Sequence, residues 1–322
     1  MNCIADLYEL INKMSLIMKN KSILLFMFLG FFAQAQVVID KEEVIRIETE
    51  LASDKMEGRA TFSPGIELAS TFIESEFKKI NLSYYDDLKN YRQEFDVKGK
   101  PANNVIAVLP GKSRPNEYVI FSAHYDHLGM DKEGVDKIYN GANDDASGTT
   151  AVIALAKYFK DLDKNERTII FVAFTGEEIG GFGSKFFSAK MDPNKVVAMF
   201  NLEMIGTESK WGKNSAYITG FEKTDFGTIL QKNLVGTNFN FYQDPYPEQQ
   251  LFYRSDNARL AAQGVPAHTI STSKMDVEMN YHKLSDEVST LDLDNMTEII
   301  KAIAISSQSI INGSDTPTRV KK

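Results

Sequence analysis

What most limits the fold of this chain is a series of short apolar runs, each closed by acids or a histidine. Residues 118–123, 168–174 and 196–202 are the clearest. The run at 168–174 is almost purely apolar, which reads as a strand buried on both faces. Residues 104–109 form another such run, set off from 118–123 by the turn signal Pro110-Gly111. Residues 266–270 are strand-like, and 216–219 is a further short run.

Helical patterns alternate with these strands. In 64–80, Ile66, Ala69, Phe72, Ile73 and Phe77 share one face. Residues 37–53, 147–159, 179–189, a stretch near 224–234 and 258–263 also read as helices, and 291–311 as one long closing helix. The alternation predicts an α/β fold: a central mixed, largely parallel twisted sheet flanked by helices on both faces. In such sheets ligands bind beyond the carboxyl ends of the strands, so chemistry is expected there.

Each polar cluster follows an element of this kind. His124-Tyr125-Asp126 follows 118–123, and a ligating histidine needs an acceptor on its other ring nitrogen, which Asp126 is placed to supply. A His-x-Asp pair on its own reads equally well as a polar strand end. Asn143-Asp144-Asp145-Ala146-Ser147-Gly148 opens a helix, where Asp and Ser also serve as ordinary caps. Gly176-Glu177-Glu178 places adjacent carboxylates after a buried strand, where they repel unless a cation or proton intervenes. Asn201-Leu202-Glu203 ends another strand, and Tyr281-His282 lies in a downstream polar loop. Together these supply nitrogen and oxygen donors suited to Zn²⁺. The other histidines, His127 and His268, read as structural, His127 in a loop or behind a ligand and His268 within a strand.

The net charge is -8 and no long Lys/Arg run occurs, which argues against a nucleic-acid-binding surface. Lys19 and Lys21 precede an apolar run over 23–33 and then Ala33-Gln34-Ala35, the pattern of an export leader cleaved after Ala35. The run falls short of the roughly 20 apolar residues needed to span a bilayer. The expected organisation is a leader over 1–35, with Met18 as an alternative start, and one catalytic domain over 36–322. The product would be periplasmic or secreted, with no stable membrane insertion after leader removal. The one cysteine, Cys3, falls in the leader, so neither disulfides nor a thiolate site is available to the exported chain.

The run Phe121-Ser122-Ala123-His124-Tyr125-Asp126-His127-Leu128-Gly129 resembles the first metal motif of the di-zinc aminopeptidases of clan MH. That family includes leucyl aminopeptidases, aminopeptidase Y and glutamate carboxypeptidase II. The Asn143–Gly148 run, Gly176-Glu177-Glu178, the run from Asn201 to Gly206 and Tyr281-His282 are similar to its remaining motifs, in the same order. The lead-in Leu51-Ala52-Ser53-Asp54-Lys55-Met56-Glu57-Gly58-Arg59 also resembles the family. The resemblance implies two zinc ions per chain, with Asp144 bridging them. Glu178 and His282 would complete one site, His124 and Glu203 the other. It further implies Glu177 as general base, Asp126 behind His124, and a cis peptide at Asp144-Asp145.

Arg254-Ser255-Asp256-Asn257 is similar to a Ser-Asp-His stretch beside the family's substrate pocket, which makes Ser255 and Asp256 candidate peptide contacts. The main departure is Glu203, where aminopeptidases of the family usually carry Asp; Glu there accompanies some carboxypeptidases. A zinc-dependent aminopeptidase acting on peptides is the reading this implies. A carboxypeptidase, a one-zinc glutaminyl cyclase and an inactive binding ectodomain remain its rivals. The aromatic stretch 242–253 is a candidate pocket wall or, equally, a loop packed on the sheet.

Overall fold

The computed structural model describes residues 8–10, 12–15 and 37–321. The apolar run and cleavage motif of the expected leader lie outside the described residues. Val38–Lys322 forms one compact unit, separate from Met1–Val37. Among the described residues no helix is long and apolar enough to cross a membrane.

The apolar runs form strands. In chain order these are β1 (Ser83–Tyr84), β2 (Arg92–Val97), β3 (Lys100–Leu109), β4 (Arg114–His124), β5 (Gly129–Met130), β6 (Ile138–Tyr139), β7 (Arg167–Phe174), β8 (Val196–Leu202), β9 (Ser215–Ile218), β10 (Asn240–Gln243) and β11 (Ala267–Ser271). One sheet runs β1-β3-β7-β4-β8-β11-β9-β10, with β2 paired to β3, while β5 and β6 pair with each other. The central strands β7, β4, β8 and β11 are mutually parallel. Antiparallel pairs flank them, β3 on one side and β9 on the other. The sheet is therefore mixed with a parallel centre, as the alternation of elements predicts. The parallel centre brings the carboxyl ends of four strands to one edge.

Alternation along the strands divides the core. Phe121, Phe171 and Phe200 lie on one face, with Phe121 stacked on Phe171 at 5.9 Å, on Phe200 at 4.8 Å and on Phe159 of the covering helix at 5.5 Å. Ile120, Ile170, Val172 and Met199 lie on the other, against Phe187, Leu260 and Val265. The helices α1 (Lys41–Leu51), α2 (Pro64–Lys79), α3 (Ser147–Leu162), α4 (Phe182–Lys190), α5 (Phe226–Asn233) and α6 (Leu293–Ser306) cover the two faces. α3 packs against α1 and α6, and α4 against the short helix Ala258–Ala261.

Where the structure departs from the sequence expectation, local chemistry accounts for it. α1 starts only after Asp40, whose carboxylate accepts the Glu42 N–H at 3.0 Å. α4 starts at Phe182 rather than 179 because Gly180 and Gly181 adopt φ of +122° and +67°. The closing helix stops at Ser306 and resumes for the short Gln308–Ile311 turn. β2 had no apolar run to mark it; its alternating burial places only Gln93, Phe95 and Val97 inside. At the opposite end of the sheet from the carboxyl edge, buried Arg167 donates to Ile310 O (2.6 Å), Asp315 O (2.8 Å) and Thr316 Oγ1 (2.6 Å) and pairs with Glu117 at 2.6 Å. It ties the C-terminal segment to the start of β7.

Candidate active site

The carboxyl edge carries the clusters singled out above. β4 ends on His124, and Glu177-Glu178 and Glu203 follow β7 and β8 directly. Asp144 and Asp145 form the turn that opens α3, and the bond between them is cis. Asp145 serves this turn: its carboxylate accepts N–H groups of Gly148 (3.1 Å), Met204 (3.0 Å) and His124 (3.3 Å). A Cβ on Gly148 would lie 2.2 Å from the Leu202 carbonyl oxygen and 2.6 Å from both Asp145 oxygens. A glycine therefore lets α3 begin hard against the end of β8.

Asp144 stands at the centre. Its Oδ1 lies 3.2 Å from His124 Nε2, and its Oδ2 lies 3.2 Å from His282 Nε2, which is itself 3.1 Å from Glu178 Oε2. Asp144 Oδ2 and His282 Nε2 are buried yet have no aligned hydrogen-bond partner among the described residues. A carboxylate oxygen and a ring nitrogen this close, yet not aligned for a hydrogen bond, fit the geometry of ligand atoms converging on a cation. His282 sits at φ +57°, in the left-handed region that residues with side chains seldom occupy.

Asp144, Glu177, Glu178, Glu203 and His282 line a common cleft. Burial pushes Glu177 up to about 10, with Glu203 and Asp256 adding to the effect against His124. Burial likewise pushes Glu203 up to about 7. Burial would raise Asp144 too, but His124 and His282 outweigh it and hold its carboxyl below the usual range. The Asp144 and Glu178 carboxylates push His282 up to about 10. So many buried acids in one place call for compensating positive charge.

Several details differ from expectation. The His124 ring is held by the Asp126 backbone carbonyl, 3.0 Å from Nδ1, while the Asp126 carboxylate lies at 3.9 Å. That carboxylate instead accepts Thr61 Oγ1–H at 2.8 Å and the Glu177 N–H at 3.1 Å. Asp126 thus supports His124 through its main chain and the Glu177 turn through its side chain. His127 belongs to the cluster itself: Nδ1 is 2.9 Å from Glu178 Oε1 and 3.8 Å from Asp144 Oδ2. His127, Asp144 and Glu178 offer donor atoms within 4.8 Å of one another. His268 is structural as expected, bonded to Thr224 Oγ1 and Thr219 O at 2.8 Å each.

Ser255 Oγ donates to Glu203 Oε2, and Asn201 Nδ2 donates to Ser255 Oγ at 2.6 Å. Asp256 is buried beside the site with neither carboxylate oxygen hydrogen-bonded among the described residues. The 242–253 stretch does not form the pocket wall; only Leu251 of it reaches the cleft. Asp286 escaped sequence reasoning. Its oxygens accept the N–H groups of Asn143 (2.8 Å) and Asp144 (3.0 Å), fixing the turn that presents Asp144. Arg59 was known only as the end of a motif. Its buried guanidinium donates to the carbonyls of Leu51, Tyr125, Asn140 and Gly141 at 2.6–2.8 Å, bracketing both His124 and the Asp144 turn.

The family model for peptidase family M28 matches residues 104–306, which include His124, Asp144, Glu177, Glu178, Glu203 and His282. The chain belongs to peptidase family M28. Leucine aminopeptidase 1 of Trichophyton rubrum is 30% identical to this M28 chain over 221 residues, covering 62% of the chain and 56% of the relative. The chain spans about half the length, or less, of the curated relatives it matches. The solved zinc aminopeptidase BSAP of Bacillus subtilis superposes with a TM-score of 0.70 at 12% identity, over 87% of this chain and 97% of that one. Porphyromonas gingivalis glutaminyl cyclase superposes with a TM-score of 0.67 at 14% identity, over 86% and 100%. At such identities these two likenesses are of fold, and the M28 fold is shared by both.

Proposed function

We propose that this M28 chain is an exported zinc-dependent exopeptidase that removes N-terminal residues from peptides. The observation that carries the reading is Asp144, whose two oxygens each face a different histidine at 3.2 Å. His124, Asp144 and Glu203 would hold one ion, and Asp144, Glu178 and His282 the other. Two zinc ions held there would offset the acidic charge, polarise the scissile carbonyl and lower the pKa of a water molecule. The leucine aminopeptidase relative supports the choice of the amino end. Export rests on the leader pattern of 19–35.

The protein's own groups complete the reaction. With the acidic charge of the cleft offset, the Glu177 carboxyl, which lines the cleft and has no hydrogen bond among the described residues, would be ionised and able to take a proton from the attacking water and pass it to the leaving amine. Its backbone is steadied by Asp126. Ser255 and Asn201 orient the Glu203 carboxylate.

The test is zinc content of the purified chain by elemental analysis, paired with hydrolysis of aminoacyl-nitroanilides with and without chelator. Two equivalents of zinc and chelator-sensitive cleavage of dipeptides blocked only at the C-terminus are expected. Cleavage restricted to N-blocked dipeptides would replace this reading with a carboxypeptidase. Ring closure of N-terminal glutamine without hydrolysis would indicate a cyclase, and no turnover with any of these a binding domain.

A paired substitution tests the ligand assignment. His282→Ala is expected to lose about one zinc per chain, and His127→Ala to retain both at saturating zinc. The reverse pattern would make His127 the ligand and His282 its support.

A further inference from the structure

The cleft holds more than its acids. Besides the acids it is lined by Arg254, by the hydroxyl-bearing residues Thr219, Thr269, Ser271 and Ser273, and by the apolar side chains of Met204, Leu251 and Met275. Arg254 is the one Lys or Arg among the residues lining the cleft, and it directly precedes Ser255, the residue bonded to Glu203. Arg254 is exposed, and its guanidinium forms no ion pair among the described residues; its side-chain contact is with Gln249 Oε1, at 3.4 Å. An arginine fork left open in this way matches a carboxylate, which can accept two parallel N–H bonds.

The hydroxyls point the same way. Thr219 Oγ1 accepts the Thr269 N–H at 3.2 Å and has no acceptor for its own proton among the described residues. The Ser273 hydroxyl reaches only Met275 Sδ, at 3.5 Å. Both residues are buried and line the cleft. A bulky apolar side chain lodged there would cover these donors without satisfying them, whereas a carboxylate would accept from them. The acids of the cleft oppose an anionic substrate, and Arg254 is the cationic side chain of the lining that offsets them on the substrate's side of the metal cluster.

We propose that Arg254 selects substrates carrying a carboxylate close to the scissile bond. The carboxylate is either an acidic N-terminal side chain or the terminal carboxylate of a dipeptide. The inference rests on the exopeptidase reading for its substrate class, but its test needs no turnover.

The experiment measures binding by calorimetry to the zinc-loaded full chain carrying Glu177→Gln, so that ligands survive the titration. Two pairs separate the sources of the carboxylate: glutamate α-amide against glutamine α-amide, and Ala-Gly against Ala-Gly-amide. In at least one pair the acid is expected to bind about 10–100-fold more tightly than its neutral partner. Adding Arg254→Gln is expected to bring that ratio to about twofold or less, and Arg254→Lys to restore part of it, as a charge without the fork. The pair that responds identifies the source. Equal binding within both pairs, or a ratio unchanged by Arg254→Gln, would overturn the proposal. Failure of the exopeptidase reading would show separately, as absent hydrolysis of leucyl- and alanyl-nitroanilides by the unsubstituted chain.

Discussion

Glu177→Gln is expected to lower kcat by about 10²–10⁴-fold, the range for a positioned general base, while fold and zinc content stay unchanged. The substitution is nearly isosteric, and the contact that fixes the turn, Glu177 N–H to Asp126 Oδ1 at 3.1 Å, is made by the main chain. The side chain has no hydrogen-bond partner among the described residues to lose, and the amide removes only the basic oxygen. Turnover of a leucyl substrate, elemental analysis and a thermal melt on the same preparation check all three parts. Activity within tenfold of the parent would remove Glu177 from the base role, and loss of zinc would make it a ligand instead.

The second large effect concerns stability. Arg59→Met is expected to destabilise the protein by about 3–5 kcal/mol, the range for removing one partner from a buried charged network. Arg59 is fully buried, and four carbonyls from three separate stretches depend on it. Methionine fills the space but donates nothing, so those carbonyls would be left unpaired away from water. Glu48, also buried and held by Thr150 Oγ1 at 2.8 Å, would lose the positive field of the guanidinium. The melting temperature should fall by about 10 °C, following the scaling for domains of this size. Chemical unfolding with a two-state fit measures the difference, and Arg59→Lys, which keeps the charge but not the fork, should fall between. An Arg59→Met protein as stable as the parent would mean that other donors reach these carbonyls.

How much of this could be read from the residues alone depends on the distance over which each feature is determined. Strand ends are local. An apolar run followed by His124, Glu177 or Glu203 announces both the strand and the edge it serves, and the parallel centre then brings those ends together. Glycines such as Gly180 and Gly181 shift a helix start by a few residues through backbone preference, a signal present but easily misjudged. β2 pairs through a hairpin and alternates charged with buried residues, so its strand character appears only beside β3.

The supports of the site belong to a third kind. Asp286 reaches across 142 residues to the Asp144 N–H, and Thr61 across 65 to Asp126. No spacing marks such pairs. His127 illustrates the same limit: its neighbours leave it either a loop residue or one standing behind a ligand, and only the fold decides, by turning its ring onto Glu178. The aromatic stretch 242–253 left two readings open, pocket wall or packed loop, and the fold favours the second: only Leu251 of it reaches the cleft, where hydroxyls from β11 and the loop beyond it stand instead.

The anchoring of the chain's outer segments bears on how a shortened protein should be made. The family match covers 104–306, and cutting there would look natural. Such a fragment would lack Arg59 and Thr61 on one side, and on the other the carbonyls of Ile310 and Asp315 and the Thr316 hydroxyl that engage Arg167. It would keep every proposed ligand and lose the struts behind them, leaving the Arg167 guanidinium without most of its partners beneath the sheet. The smallest portion able to hold its own active geometry therefore extends from α1 to at least Thr316, and boundaries for expression belong outside those residues.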